Sequence, residues 1–142
     1  MLNTAGKHLK INLAGVYGAL IADTVVISVE ICQVSGCGSG TVVALAATVA
    51  LTPTAETKAG WSTTVDCNVF TTGAGGTLDC QGFSLLGTAA GTALVAQMQN
   101  TTTKTVNTTV DEYVSAAVTW AGVGAPSATD TITLRMFNAT VY

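Results

Sequence analysis

Charge is what this sequence has least of. Five residues of 142 are Lys or Arg and eight are Asp or Glu, 9% together, against about 25% in an ordinary soluble domain. With a net charge of −3 there is no basic footprint for phosphates, so nucleic acid is not an expected partner. Histidine occurs once, as His8, and arginine once, as Arg135, which leaves little for general acid–base catalysis. No GxxxxGK, GxSxG or HExxH pattern is present. Long apolar runs are missing too: Leu13–Ala22 and Val42–Leu51 fall short of the roughly 20 residues that a membrane-crossing helix needs. Disorder is excluded from the other side, because 49% of the residues are hydrophobic and a disordered chain combines low hydrophobicity with high charge.

Polarity comes instead from 25 threonines, a β-branched residue that favours strands and hydrogen-bonds at less desolvation cost than an ion. The dominant period is two. Trp61, Thr63, Val65, Cys67 and Val69 alternate with Ser62, Thr64, Asp66 and Asn68, and Gly73–Gly76 is a turn. Trp61–Phe83 therefore reads as a β-hairpin. Val114, Ala116, Val118 and Trp120 alternate in the same way, as do Ile132, Leu134 and Met136 after a loop at 122–127, which reads as a second hairpin. Thr24–Ile31 and Thr41–Leu51 read as strands about the Gly-rich segment Val34–Gly40. Gly91–Gln99 fits a strand or a short helix, and Thr101–Thr109 an exposed strand or loop. About eight short strands with regular turns predict an all-β fold, a jelly-roll-like antiparallel β-sandwich.

The beginning of the chain resembles a secretion signal, with Lys7, His8 and Lys10 ahead of an apolar run. The expectation is that it is retained, and Gly6, Gly15 and Gly18 lead us to read residues 1–20 as an extended N-terminal arm. Residues 21–142 would form a single domain that stays folded without that arm.

The four cysteines leave three readings open. If the hairpin turns at Gly73-Ala74, Cys67 faces Cys80 and a disulfide is within reach, while Cys32 and Cys37 could clamp a short loop. They could equally be reduced, buried thiols; the spacing fits a metal site poorly. Asp66 and Asp79 would lie diagonally across the hairpin, too few oxygens for a cation site, and Asp111 and Glu112 would point to opposite faces. Sequons at Asn100, Asn107 and Asn138 arise by chance in so Thr-rich a chain. No metal, cofactor or catalytic residue is expected, and a hydrolase is disfavoured for want of histidine and paired acids.

The stretch Trp61-Ser-Thr-Thr-Val-Asp-Cys-Asn-Val-Phe-Thr-Thr-Gly-Ala-Gly-Gly-Thr-Leu-Asp-Cys-Gln-Gly-Phe83 resembles a hairpin of small tailed-phage virion proteins. Asn107–Tyr113, Val114–Trp120, Ser127–Leu134 and Phe137-Asn138 resemble their C-terminal hairpin, so the likeness spans about residues 60–142. The resemblance implies a homotrimeric β-sandwich on the capsid surface of a virion assembled in the host cytoplasm. Its role would be capsid decoration (cementing), with the major capsid protein as partner; the alternative is a tail fibre or spike head that binds a receptor. It offers no catalytic residue to carry over, and the cysteines depart from its pattern. A surface poor in Lys and Glu is what subunit interfaces look like, in agreement with that reading. The candidate interface residues are His8, Leu9, Ile11, Leu13 and Tyr17 of the arm, adding a strand to a neighbour, together with Arg135, suited to an interfacial ion pair.

Overall fold

The computed structural model describes residues 2–20, 23–37, 41–88, 90–100, 102–122 and 126–142. Nine strands are present: β1 (His8–Ala19), β2 (Thr24–Cys32), β3 (Val42–Ala47), β4 (Glu56–Thr71), β5 (Gly76–Gly87), β6 (Ala93–Gln99), β7 (Lys104–Val106), β8 (Tyr113–Ala121) and β9 (Thr131–Val141). A 3₁₀ turn at Ser35–Cys37 is the one helical element among the described residues. The larger sheet runs β6-β5-β4-β1-β9, with β7 beside the far end of β5; the smaller runs β3-β2-β8. Every pairing is antiparallel. The two sheets pack face to face as a β-sandwich.

Period-two patterning explains the packing. On β4, Trp61, Thr63, Val65, Cys67 and Val69 are buried while Ser62, Thr64, Asp66 and Asn68 face outward. Opposite them β2 contributes Val25, Ile27, Val29 and Ile31, none more than 1% exposed. The buried Thr63 and Ser84 hydroxyls satisfy one another at 2.8 Å, as polar groups in a core must. Gly91–Gln99 resolves as a strand from Ala93 onward. The polar tract before Tyr113 holds only the three-residue β7. After Ala47 the regular strand stops: the Ile27 N–H bonds the Thr48 hydroxyl, and only a bridge at Leu51 resumes the pairing with Val25.

The chain departs from the sequence reading in three places. The supposed arm is β1, a central strand hydrogen-bonded to β4 on one side and β9 on the other. Leu9, Ile11, Leu13 and Tyr17 are core side chains, each at most 3% exposed, so they offer nothing to a neighbour, and removing residues 1–20 would cut the larger sheet in two. Strands β8 and β9 do not form a hairpin: β8 pairs with β2 in one sheet and β9 with β1 in the other. Met136 does not share a face with Leu134, since the register shifts between Ala14 and Gly15 and leaves Arg135 as the extra residue of a β-bulge. The segments 38–40 and 123–125 of the expected loops lie outside the described residues.

Both disulfides are formed. Cys67 and Cys80 are direct cross-strand partners with Cα atoms 4.0 Å apart, and Cys32–Cys37 closes the turn after β2 at 5.5 Å. The hairpin register at the cysteines is the expected one, with a shift only between Val69 and Thr71. Gly73, at φ 114°, turns the chain, and Thr108 Oγ1 accepts its N–H at 2.8 Å.

One glycine is required by close approach. Gly15 sits where the Trp61 indole crosses β1 to donate from Nε1 to the Thr133 carbonyl at 3.3 Å. A Cβ there would overlap that carbonyl oxygen and come within 2.9 Å of Nε1. Gly15→Ala should therefore cost about 3 kcal/mol, the upper range for overpacking, and loosen β9 from β1; chemical denaturation together with amide exchange on β9 checks this. Replacing Cys67 and Cys80 by Ala should cost about 3 kcal/mol, the chain-entropy value for so short a loop. In the native protein a reductant should open Cys32–Cys37 first, because Cys37 is only half-buried whereas Cys67 and Cys80 are at most 1% exposed. Alkylation and mass spectrometry read the order.

Candidate functional site

No group of three or more His, Cys, Asp or Glu side chains stands together among the described residues. Asp66 faces Gln81 and Asp79 faces Asn68 across the hairpin, the diagonal relation expected from the sequence, and Lys10 Nζ lies 4.0 Å from Asp66. Asp111 is exposed. Burial raises the pKa of Glu112 above its ordinary value, with Asp111 adding to the shift and the Leu2 N–H opposing it. His8 is exposed and stacks on Tyr142, the ring centroids 5.6 Å apart. None of these side chains forms a nucleophile–base pair.

The carboxyl pair Asp23–Asp130 has no signal in the sequence, its members lying just ahead of strands that belong to different sheets. Asp130 accepts the Ser127 N–H at 2.6 Å and the Leu20 N–H at 3.2 Å, which lowers its pKa. Asp23, 2% exposed, has its pKa raised above the ordinary value of 3.8, first by burial and then by the neighbouring Asp130 charge. The pair ties the end of β1, the start of β2 and the start of β9 at one rim of the sandwich, a structural role.

The surface that is out of balance is the β8–β9 flank. Strand β3 packs over β5, β6 and β7, so β8 at the other edge of the small sheet falls on the β9 side. Burial declines toward it: the inward side chains of β2 are fully buried, whereas their partners Val114, Ala116, Val118 and Trp120 on β8 are half-buried. On β9, Leu134, Phe137 and Val141 pair with Gly15, Leu13 and Leu9 and so face the core side of the sheet, yet they are 45%, 44% and 38% exposed. Met136 and Tyr142, on the outer face, are 53% and 63% exposed. The free edge of β9 carries eleven residues with one charge, Arg135, and no proline. Of the expected interface residues, the structure leaves His8 and Arg135 at the surface; β9 itself is what the sequence reading missed.

No protein-family model matches the chain, and neither a curated protein nor a solved structure matches it.

The carboxyl pair sets a pH dependence. A carboxyl whose folded pKa lies above its unfolded value loses stability as pH rises from the unfolded pKa through the folded one. Asp23 thus favours the folded state in acid, and Asp130, shifted downward, opposes it only as the pH falls below its ordinary value. Asp23→Asn should raise the melting temperature at pH 7 and flatten its dependence above about pH 4. A melting series of both proteins from acid to neutral pH measures this, and a variant less stable throughout would contradict it.

Proposed function

We propose that the protein is a non-enzymatic structural protein of a virion, a capsid decoration protein that binds and stabilises a phage shell as a homotrimer. The observation that carries the reading is the uncovered strand β9. Edge strands of soluble proteins are blunted by charge, proline, bulges or brevity, because an open ladder templates further pairing. Strand β9 is long and free of proline, is blunted only by the Arg135 charge at its one bulge, and shows apolar side chains on both faces. A closed symmetric assembly removes such an edge without the open-ended growth of fibres. Completing the burial of half-exposed Leu134, Phe137 and Val141 is worth about 1 kcal/mol each per chain.

The virion setting and the count of three come from the resemblance over residues 60–142, and the scarcity of charge agrees with both. A fibre or spike head is the second reading. It is favoured by Phe83, Tyr142 and His8 standing on one outward face, a grouping invisible in the sequence.

The deciding measurement is the copy number of this chain in purified particles, relative to the major shell protein. A number comparable to the shell protein supports decoration, a few copies move the protein to the tail, and absence overturns the reading. The isolated protein should sediment as a trimer. Phe137→Lys and Leu134→Lys should give monomers with unchanged strand content, and a wild-type protein that is monomeric in sedimentation would overturn the role given to β9.

A further inference from the structure

The outer face of the larger sheet carries a groove that ends at Tyr142, beside the β9 edge. A hollow of about 420 Å³ is lined by His8, Lys10, Asn68, Asp79 and Tyr142, and one of about 290 Å³ by Thr64, Phe83 and Gln97. Both are also lined by Asp66 and Gln81, so they form one depression crossing β1, β4, β5 and β6. The strand registers fix its layout. Lys10, Asp66 and Gln81 form the middle row; Asn12, Thr64 and Phe83 the row on one side; His8, Asn68 and Asp79 the row on the other. An aromatic ring marks each end, Phe83 at 47% exposure and Tyr142 at 63%, the latter held by its stack on His8. With strands about 4.8 Å apart and residues rising about 3.4 Å, the two rings lie about 20 Å from one another.

We infer that this groove binds an extended neutral glycan. Its floor is made of amide, carboxylate and hydroxyl groups, which can both give and take hydrogen bonds in the way sugar hydroxyls do. The end rings supply flat apolar faces with one polar edge, suited to the C–H face of a pyranose. Other ligand classes fit worse. Lys10 and Asp66 offset one another, leaving no positive field for a polyanion. A peptide adding as a strand needs a sheet edge, whereas here the backbone groups on both sides of β1, β4 and β5 are already paired. The separation of the rings calls for an oligosaccharide. The inference rests on neither the virion reading nor the oligomer.

The test uses the full-length protein and a panel of neutral hexasaccharides (cello-, xylo-, malto-, manno- and chito-series), with a sulfated oligosaccharide for comparison. Binding is read by calorimetry and by amide-shift mapping. The expected result is binding of at least one neutral hexasaccharide, with shifts confined to β1, β4, β5, Gln97 of β6 and the chain end at Tyr142. Phe83→Ala and Tyr142→Ala should each weaken it by about tenfold, equivalent to about 1.4 kcal/mol, with the melting temperature unchanged in both and sedimentation unchanged in Phe83→Ala. No neutral hexasaccharide bound at millimolar concentration, binding of the sulfated probe alone, or affinity indifferent to both substitutions would each overturn it. None of these results bears on the copy number per particle.

Discussion

The molecule is governed by a mismatch: three strands are asked to cover five that lie side by side. At about 4.8 Å per strand the smaller sheet is about 14 Å wide and the larger about 24 Å. Because β3 is seated over β5, β6 and β7, the shortfall is not shared between the two flanks. It falls wholly on the β9 side, where apolar side chains point into a space that no strand among the described residues fills. A hydrophobic core normally terminates in polar residues at its rim. This one continues through Leu134, Phe137 and Val141, which makes β9 the open margin of the core.

Strand β9 is nevertheless held firmly to its own chain. The ladder with β1 runs from Leu9–Val141 to Gly18–Thr131, and the Trp61 indole reaches over Gly15 to the Thr133 carbonyl. At its start, Asp130 is bound by the Leu20 and Ser127 N–H groups beside the buried Asp23. The bulge at Arg135 turns Leu134 and Phe137 to the same face, which an unbroken alternation would forbid. A strand tied down this way presents an ordered apolar surface, so little conformational entropy is left to lose when a partner covers it.

Much of this was legible in the sequence where period-two alternation is clean. The Trp61–Phe83 hairpin, the facing of Cys67 and Cys80, and the diagonal of Asp66 and Asp79 follow from alternation plus one turn. The alternation of His8-Leu9-Lys10-Ile11-Asn12-Leu13 was equally clean. Gly15 and Gly18 disguise it as a loose segment, whereas Gly15 is small because Trp61 crosses it. The pairing of β8 and β9 could not be read at all. Two strands joined by a short connection look like a hairpin whether they share a sheet or cross between sheets, and long-range pairing with β1 and β2 decides it. The Arg135 bulge is silent for the same reason: it is a property of the register with β1, not of β9. Asp23 and Asp130 meet only because the crossing brings the two rims together.

The two surfaces singled out by the structure face different ways, and this bears on how they would work together. Covering the β9 flank buries the core-side face of the larger sheet and its free edge; the groove lies on the opposite face, over β1, β4, β5 and β6, and stays open. A shallow groove of hydrogen-bonding groups and two rings, displacing well-bound water, gives modest affinity for a single sugar chain. Copies fixed by closed symmetry would present such grooves at constant spacing, and engagement of a second one becomes intramolecular, raising overall avidity by about 10²–10⁴ without any new contact. A neutral, threonine-rich exterior is then consistent with both roles: it lets subunits meet without desolvating ions, and it leaves hydroxyls and amides, not charges, to face a polyhydroxylated ligand.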